Sequence, residues 1–157
     1  MYDTTKLIKI GSGRSAEVFD LDTDKVYRQS FSETDGFIAT LYLSNEQRKE
    51  YKLSKIIDFD TDNHMWSVCE KLYKTDPDRL VSLNGLWDDI NDFRCVPCHL
   101  WEDDHELATL ISLGIKLFND LYKMGYPVWN LDMNNHNIMQ RSNGELVLTD
   151  PIGTLDI

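Results

Sequence analysis

Long apolar runs are missing from this sequence. No stretch of about 18 consecutive apolar residues occurs, which argues against an ordinary membrane-spanning helix. The opening residues, MYDTTKLIKIGSG, also lack the apolar core that is typical of a secretory signal peptide. We therefore expect a soluble cytoplasmic protein that does not contact a membrane.

Cysteine is scarce as well. The chain has three cysteines, Cys69, Cys95 and Cys98, an odd number without the spacing of a disulfide framework, which argues against a secreted, cross-linked fold. Cys95 and Cys98 form a single CxxC unit. No second pair follows at the spacing of a zinc site, and no thioredoxin-type pattern surrounds the unit. We predict free thiols in a reducing compartment and assign the unit no metal or redox role.

Basic residues are the third deficit. The chain has 16 lysines and arginines against 27 aspartates and glutamates, which gives a formal net charge of −11 at pH 7. Such a chain repels the phosphate backbone of DNA and RNA, so direct nucleic-acid binding is disfavoured. The acidic excess favours solubility. It also leaves open a surface that imitates nucleic acid or docks on a basic partner.

The pattern of residues 1–74 predicts an antiparallel sheet with one helix. Three short strands are predicted between Lys6 and Gln29, where apolar residues alternate with turn residues. One amphipathic helix is predicted from Thr34 to about Lys49. Two further strands, Lys55 to Phe59 and Met65 to Leu72, are predicted around a tight polar turn. The apolar residues at helical spacing are Phe37, Ile38, Leu41 and Tyr42.

After residue 74 the pattern becomes mainly helical. A helix is predicted around Leu86 to Phe93, and a longer one from Leu107 to Tyr122, which Gly125 ends. A polar loop from Asn130 to Asn137 follows. Beyond the loop, a short apolar segment, a turn at Ser142-Asn143-Gly144 and a strand predict a hairpin.

These elements predict one α+β domain with a real hydrophobic core, since 41% of the residues are hydrophobic. Its first part, residues 1–74, is the sheet with one helix, and its second part, residues 75–157, is small and mainly helical. The contexts of Trp66, Trp87 and Trp129 predict core positions. Trp101, beside three acidic residues, is predicted at the surface.

A glycine-rich turn joins the first two predicted strands. Because it lies between strands rather than between a strand and a helix, it fits neither a Rossmann nor a Walker loop. Glycines in such a turn let backbone amides lie over nucleotide phosphates. A plain hairpin turn is the alternative interpretation. The residues of the turn pattern are Gly11, Ser12, Gly13, Ala16 and Val18, with Ala16 where the pattern GxGxxGxV has its third glycine.

The strongest chemical pattern follows the long predicted helix. Asn137 lies five residues after Asp132, and Asp150 lies a further 13 residues along, in Thr149-Asp150-Pro151. A carboxylate can accept or orient the proton of an attacking hydroxyl. Amide and carboxylate oxygens are ligands that Mg²⁺ prefers. The alternative is a solvated loop and hairpin in which all three are turn residues.

These motifs resemble those of protein kinases. The glycine turn resembles the kinase Gly-rich loop, and Arg28, on the third predicted strand, occupies the place of the lysine that contacts the nucleotide phosphates. Asp132 and Asn137 have the spacing of the H-R-D-x-x-x-x-N catalytic loop, and Asp150 that of the D-F-G aspartate. The segments Asp132-Met133, Asn137-Ile138-Met139 and Thr149-Asp150-Pro151 are similar to those of the small serine/threonine kinases of T7-like bacteriophages.

The resemblance implies a minimal two-lobed kinase-like fold, with an N-terminal lobe over residues 1–74 and a reduced C-terminal lobe over residues 75–157. It implies ATP and Mg²⁺ as cofactors, and a host protein as substrate or target in the bacterial cytoplasm. The roles that it implies are a catalytic base at Asp132, metal ligands at Asn137 and Asp150, and nucleotide contacts at Gly11, Ser12, Gly13, Ala16, Val18 and Arg28.

Departures from the kinase pattern leave a second function open. Arginine replaces lysine at position 28, and its planar fork is bulkier than an ammonium. The predicted helix has no glutamate in its apolar part to pair with Arg28, since Glu33, Glu46 and Glu50 lie at or beyond its ends. The chain ends seven residues after Asp150, without an activation segment. The alternative to an active kinase is a kinase-derived acidic binding module that inhibits a host protein, such as a nucleic-acid-binding or defence protein.

Overall fold

An antiparallel sheet of five strands dominates the first part of the protein. The computed structural model describes residues 1–154. The strands pair in the order β1-β2-β3-β5-β4, every pair antiparallel. They confirm the predicted set of three strands followed later by two. Their bounds are β1 (Ile8–Ser12), β2 (Ala16–Asp20), β3 (Lys25–Ser30), β4 (Ile56–Phe59) and β5 (Trp66–Glu70).

The two faces of this sheet have different surroundings. Phe19, Tyr27 and Val68 pack together on one face. Successive side chains of a strand point to opposite faces. Val18 and Arg28, which are paired across β2 and β3, therefore lie on the other face. That face receives the helical segment that follows β3, and it carries the candidate site.

The helical segment after β3 is two short helices, α1 (Phe37–Thr40) and α2 (Asn45–Glu50). Ser44 starts the second one. Its hydroxyl accepts a hydrogen bond from the Gln47 amide, and the Gln47 side chain accepts one from the Ser44 amide, which is a capping box. The prediction of one continuous helix from Thr34 to about Lys49 is therefore wrong, because a strong local start signal at Ser44 follows the apolar repeat and begins a second helix.

Four α-helices follow in the part of the chain that ends at residue 154. The longest, α6, begins at its N-cap Asp104, whose carboxylate accepts from the Leu107 amide. It ends just before Gly125, whose φ of +81° is the left-handed conformation that glycine adopts without strain. Both predicted helices and the Gly125 stop are confirmed. None of the helices described for residues 1–154 has the length and hydropathy needed to cross a membrane. Their bounds are α3 (Pro77–Leu80), α4 (Trp87–Phe93), α5 (Leu100–Asp103) and α6 (His105–Lys123).

A small antiparallel sheet lies against α6. Its strands are β6 (Tyr73–Lys74), β7 (Ile138–Gln140) and β8 (Leu146–Leu148), in the order β6-β7-β8. The predicted hairpin of β7 and β8 is confirmed, and Gly144 in its turn has a φ of +87°. The pairing of β6 with β7 was not predicted, since two residues carry too little pattern to indicate a strand.

The main core joins both parts of the chain. Leu43, Tyr51 and Leu53, from the first 74 residues, belong to the same buried cluster as α6. Leu53 also forms a parallel bridge with Leu148 of β8. The fold is therefore α+β, with an antiparallel sheet and several helices, and the division at residue 74 stays a prediction. The α6 members of the cluster include Leu107, Leu110, Ile111, Leu117 and Leu121.

Trp129, which was predicted in the core, lies at the surface. It is 45% exposed, so this prediction is wrong. Tyr42, one of the apolar residues at helical spacing, is 48% exposed, and its ring stacks on Tyr126 with 4.9 Å between centroids. Trp101 is 42% exposed, as predicted, and Cys95 and Cys98 are exposed free thiols.

Candidate functional site

Arg28 lies at the centre of a buried charge cluster. It extends from β3, and its side chain is only 10% exposed. Its Nη1 donates to Asp35 Oδ2 at 2.6 Å, and its Nη2 donates to Asp150 Oδ2 at 3.1 Å. The guanidinium also lies over the Phe37 ring, 4.0 Å from the centroid. One buried cation is thus shared by two carboxylates, and its partner at position 150 is 122 residues away in sequence.

Asp35 is a functional candidate that the sequence reasoning missed. The kinase pattern predicts a glutamate inside the helix as the partner of Arg28, whereas the partner in the structure is an aspartate just before α1. Its side chain is fully buried. Asp35 Oδ2 accepts from the Ser30 hydroxyl at 2.6 Å, and Oδ1 accepts from the Phe37 amide at 3.1 Å. A local signal for it is an aspartate two residues before the first apolar helical residue, whose carboxylate can accept from the backbone amide two residues on.

Gly36 brings this helix start against the turn that contains Asp150. A Cβ atom at Gly36 would collide with the carbonyl oxygens of Ile152 and Gly153. Its φ of −59° is ordinary, so the close approach of the two backbones is what requires glycine here. Gly153 also has no space for a side chain, because a Cβ there would collide with the Asn130 side chain. The start of α1, the turn after β8 and the loop after α6 therefore meet.

Hydrogen bonds from the amides of Asn137 and Asn134 hold Asp132. Asn137 Nδ2 donates to the Asp132 carbonyl oxygen at 2.7 Å, and Asn134 Nδ2 donates to Asp132 Oδ1 at 3.1 Å. Asn91 of α4 fixes the next residue, since it exchanges two hydrogen bonds of 2.8 and 2.9 Å with the Met133 backbone. The loop is thus ordered by its own asparagines and by a helix behind it.

Backbone pairing joins the Asp132 loop to the Asp150 turn. The Asp132 amide donates to the Pro151 carbonyl at 2.8 Å, and the Thr149 amide donates to the Asn137 carbonyl at 3.0 Å. The structure therefore brings Arg28, Asp132, Asn137 and Asp150 together, although each was identified only from its spacing.

Asp150 has a pKa raised to about 7, chiefly because it is buried. The positive charge of Arg28 opposes this rise, while the negative charges of Asp35 and Asp132 add to it. About a quarter of the side chain, 24%, is exposed. Its Oδ1 atom is nevertheless buried and has no hydrogen-bond partner among the described residues. An oxygen in that state can gain stabilisation from a cation.

The oxygen atoms that this cluster offers as ligands fit Mg²⁺. Asp150 offers the unpartnered Oδ1, and Asn137, whose amide nitrogen is held by Asp132, retains its amide oxygen as a ligand. Mg²⁺ commonly uses one or two carboxylates and keeps several waters. Within residues 1–154, no group of three or more His, Cys, Asp or Glu side chains is arranged to hold a metal. The fit therefore rests on a sparse set of oxygen ligands rather than on a closed protein cage.

The glycine turn forms the tip of the β1–β2 hairpin. Gly11 pairs with Val18, and the Gly13 amide donates to the Ala16 carbonyl at 2.9 Å. Ala16 and Val18 are paired with Ser30 and Arg28, so these two predicted residues lie on the face of the charge cluster. Neither Gly11 nor Gly13 has a positive φ, and a Cβ at either would make ordinary contacts. The hairpin backbone itself does not require them. Ser12, at the end of β1, is exposed.

Comparisons with protein families, with curated proteins and with solved structures find no match for this chain. The chemistry and geometry of the cluster around Arg28 are therefore the basis on which a function can be assigned.

Proposed function

We propose that this chain is a minimal two-lobed kinase-like protein that transfers the γ-phosphate of ATP to a hydroxyl of a host protein, as the small serine/threonine kinases of T7-like phages do. One observation carries the proposal: Arg28, Asp132, Asn137 and Asp150 form one cluster although they come from segments up to 122 residues apart. A phosphate-binding cation, oxygen ligands for Mg²⁺ and a carboxylate for the acceptor hydroxyl are the parts that phosphoryl transfer needs.

Asp132 acts on the acceptor hydroxyl. Its backbone is held at both ends, by the Pro151 carbonyl and by the Asn137 amide. Asn134 holds one of its carboxylate oxygens. A carboxylate fixed in this way orients the hydroxyl and accepts its proton without first reorganising.

Asn137 and Asp150 would hold Mg²⁺ through their side-chain oxygens. The ion would supply positive charge against the phosphates. Ionised Asp150 is the form that serves as ligand, and Arg28 supports that form by its positive charge. The nearby negative charge of Asp132 opposes ionisation, so a cation at this position relieves a repulsion that the protein alone leaves unbalanced.

Arg28 contributes a fixed positive charge for the phosphates. Its Nη1 side is held firmly by Asp35, at 2.6 Å, while the Nη2 contact with Asp150 is longer, at 3.1 Å. The Nη2 side is therefore the one that would contact phosphate oxygens if Asp150 held the metal. The backbone of Gly11, Ser12 and Gly13, with Ala16 and Val18 on the same sheet face as Arg28, covers the nucleotide in this proposal.

The test is transfer of radiolabelled γ-phosphate from ATP, with Mg²⁺, into the protein itself and into a bacterial lysate. We expect Asp132→Ala to lower the labelling rate by about 10²- to 10⁴-fold, the usual contribution of a positioned base. Asp88→Ala, at an exposed position in the first turn of α4, is the control for a lost carboxylate and should label as wild type does. Labelling that does not depend on Asp132 would contradict the enzyme proposal.

A second function, the acidic binding module, is favoured by one observation. Both terminal nitrogens of Arg28 are already occupied by carboxylates, so the arginine is paired without a nucleotide. The net charge of −11 suits a basic host protein as the target. A thermal shift experiment separates the two functions, because a ligand that binds only the folded state raises the melting temperature. A shift with Mg-ATP that Asp150→Ala abolishes supports the nucleotide site, and its absence supports the binding module.

A further inference from the structure

A groove whose lining includes none of the residues of the charge cluster collects an unusual share of the basic residues. It has a volume of about 700 Å³ and runs between α2, the segment before β4 and the turn after β7. Small-molecule sites generally have volumes of about 300–1,000 Å³. Five of the 16 basic residues of the chain line it, against three glutamates, Glu46, Glu50 and Glu145. The lining of the groove therefore has a net positive charge, whereas the whole chain has a net charge of −11.

Three lysines of this groove have no ion-pair partner within the described residues. Lys9, Lys71 and Lys116 each contact a carboxylate within 3.0 Å. In contrast, no carboxylate among residues 1–154 lies within 4 Å of the ammonium groups of Lys49, Lys52 or Lys55. In a chain with 27 acidic residues, unpaired lysines that share one groove are available for an external anion.

Lys52 occupies a backbone position that normally favours glycine. Its φ of +52° lies in the left-handed region. It follows Tyr51, the C-cap residue of α2. Glycine or asparagine is usual after a helix end of this kind, because other side chains are strained there. Lysine at this position places an ammonium group at the groove in spite of the backbone strain. Local strain of this kind is typical of functional sites.

Arg48 adds a buried charge behind the same groove. Its residue is 1% exposed, its Nε donates to the Ser54 carbonyl at 2.7 Å, and its Nη1 donates to the Thr40 carbonyl at 2.7 Å. Its Nη2 has no hydrogen-bond partner among the described residues, nor does Arg48 form an ion pair there. Burial lowers the pKa of Arg48 to about 10, so the group is still a cation at neutral pH. Arg141, which also lines the groove, is paired with Glu70 and Glu145, each at 2.8 Å.

We infer that this groove is a second binding site, separate from the Arg28 cluster, for a compact ligand with two or more phosphate groups. Ammonium groups on separate segments suit separate phosphates, since each acts as a point charge with rotatable donors. The surrounding negative charge excludes a long polyanion such as nucleic acid, because repulsion extends about 8 Å at physiological salt. Inorganic pyrophosphate and nucleotides share the chemistry that the groove recognises.

Calorimetric titration of the full chain with inorganic pyrophosphate, without Mg²⁺, tests the inference. We expect wild type to bind and Lys49→Ala/Lys55→Ala to bind at least about tenfold more weakly, as the loss of two charge contacts predicts. Lys74→Ala/Lys123→Ala, two exposed lysines outside the groove, removes the same charge and should stay within about twofold of wild type. No binding by wild type, or equal weakening in both double variants, would overturn the inference.

Lys52→Gly is the sharper variant, because glycine relieves the strain at φ +52° while it removes the ammonium. We expect its melting temperature to equal or exceed that of wild type and its pyrophosphate affinity to fall. Arg94→Gly is the matched control, since Arg94 has a φ of +51°, is exposed and is also basic, yet lies outside the groove. It should bind pyrophosphate normally, whereas unchanged binding by Lys52→Gly would count against the site.

Two further arms identify the source of the phosphates and separate this site from the proposed active site. ATP that binds more tightly than pyrophosphate through the same lysines identifies a nucleotide, and equal affinity identifies a free oligophosphate. Asp150→Asn should retain pyrophosphate binding, so a failure of the kinase proposal leaves this result intact. A single-stranded oligonucleotide that binds more tightly than pyrophosphate would overturn the assignment to a compact ligand.

Discussion

Asp35 is the residue that allows Arg28 to be buried. Its carboxylate is fully buried and accepts hydrogen bonds from Arg28, Ser30 and Phe37. Removing one partner of a buried pair leaves the other charge uncompensated, which costs far more than losing a pair at the surface. The stability of the whole charge cluster therefore depends on this one side chain.

Asp35→Ala should lower the free energy of unfolding by about 3 kcal/mol, as is typical for one half of a buried ion pair. Lys116→Ala is the control, because the Lys116–Asp120 pair has the same 2.6 Å distance but a lysine side chain that is 61% exposed. That variant should lose less than about 1 kcal/mol. Urea unfolding followed by circular dichroism measures both, and equal losses would contradict the special role of Asp35.

The raised pKa of Asp150 predicts an unusual dependence of stability on pH. A carboxyl group whose pKa rises from its ordinary value of 3.8 to about 7 binds its proton more tightly when folded. Its stabilising contribution is complete below about pH 4 and is lost as the pH rises through about 7, at a rate of at most about 1.4 kcal/mol per pH unit. The pKa values of Asp104 and Asp120 are lowered by Arg79 and Lys116 respectively. These two carboxylates therefore lose their stabilising contribution as the pH falls below about 4, whereas Asp150 loses its contribution as the pH rises.

Asp150→Asn should therefore remove the loss of stability between about pH 4 and pH 8. Melting temperatures of wild type and variant, measured across this range without Mg²⁺, give the comparison. Parallel pH profiles for the two proteins would show that Asp150 does not titrate in this window.

At the scale of elements, α1 and the turn after β8 are held together through Gly36. Gly36→Ala should lower the free energy of unfolding by about 1–3 kcal/mol, because the added methyl group must displace the carbonyls of Ile152 and Gly153. Gly11→Ala is the matched control, since a Cβ there lies 3.7 Å from Val18, an ordinary contact. Chemical denaturation measures the difference, and a harmless Gly36→Ala would mean that the two backbones can separate freely.

The elements differ in how well their sequences predict them. The hairpins and α6 are confirmed because their signals are local: alternation, turn residues, an apolar repeat and the stop at Gly125. The break between α1 and α2 was missed because the polar residues after Tyr42 were assigned to the same helix, although the capping box at Ser44 and Gln47 begins a new one. The spacing of Asp132, Asn137 and Asp150 indicated a cluster. The pairing of Asp35 with Arg28 could not be predicted in the same way, because it depends on how the start of α1 packs against β3 in the folded protein.

For the whole molecule, one core cluster takes side chains from both sides of residue 74. We expect the two parts to unfold in a single transition, so that tryptophan fluorescence and far-ultraviolet circular dichroism coincide in urea. Leu53→Ala, a buried residue that bridges to Leu148, should lower stability by about 2–5 kcal/mol without splitting the transition. Val81→Ala, at a position that is 56% exposed, serves as control, and two separated transitions would contradict a shared core.

The ion pair between Arg28 and Asp150 also sets an order of events during synthesis. The two residues are 122 positions apart, so a ribosome that adds about 5–20 residues per second makes Asp150 about 6–24 seconds after Arg28. During that interval the nascent chain already contains Asp35, seven residues from Arg28. Asp35 can pair with the arginine while the next 115 residues are translated, and Asp150 completes the cluster only after they have been added.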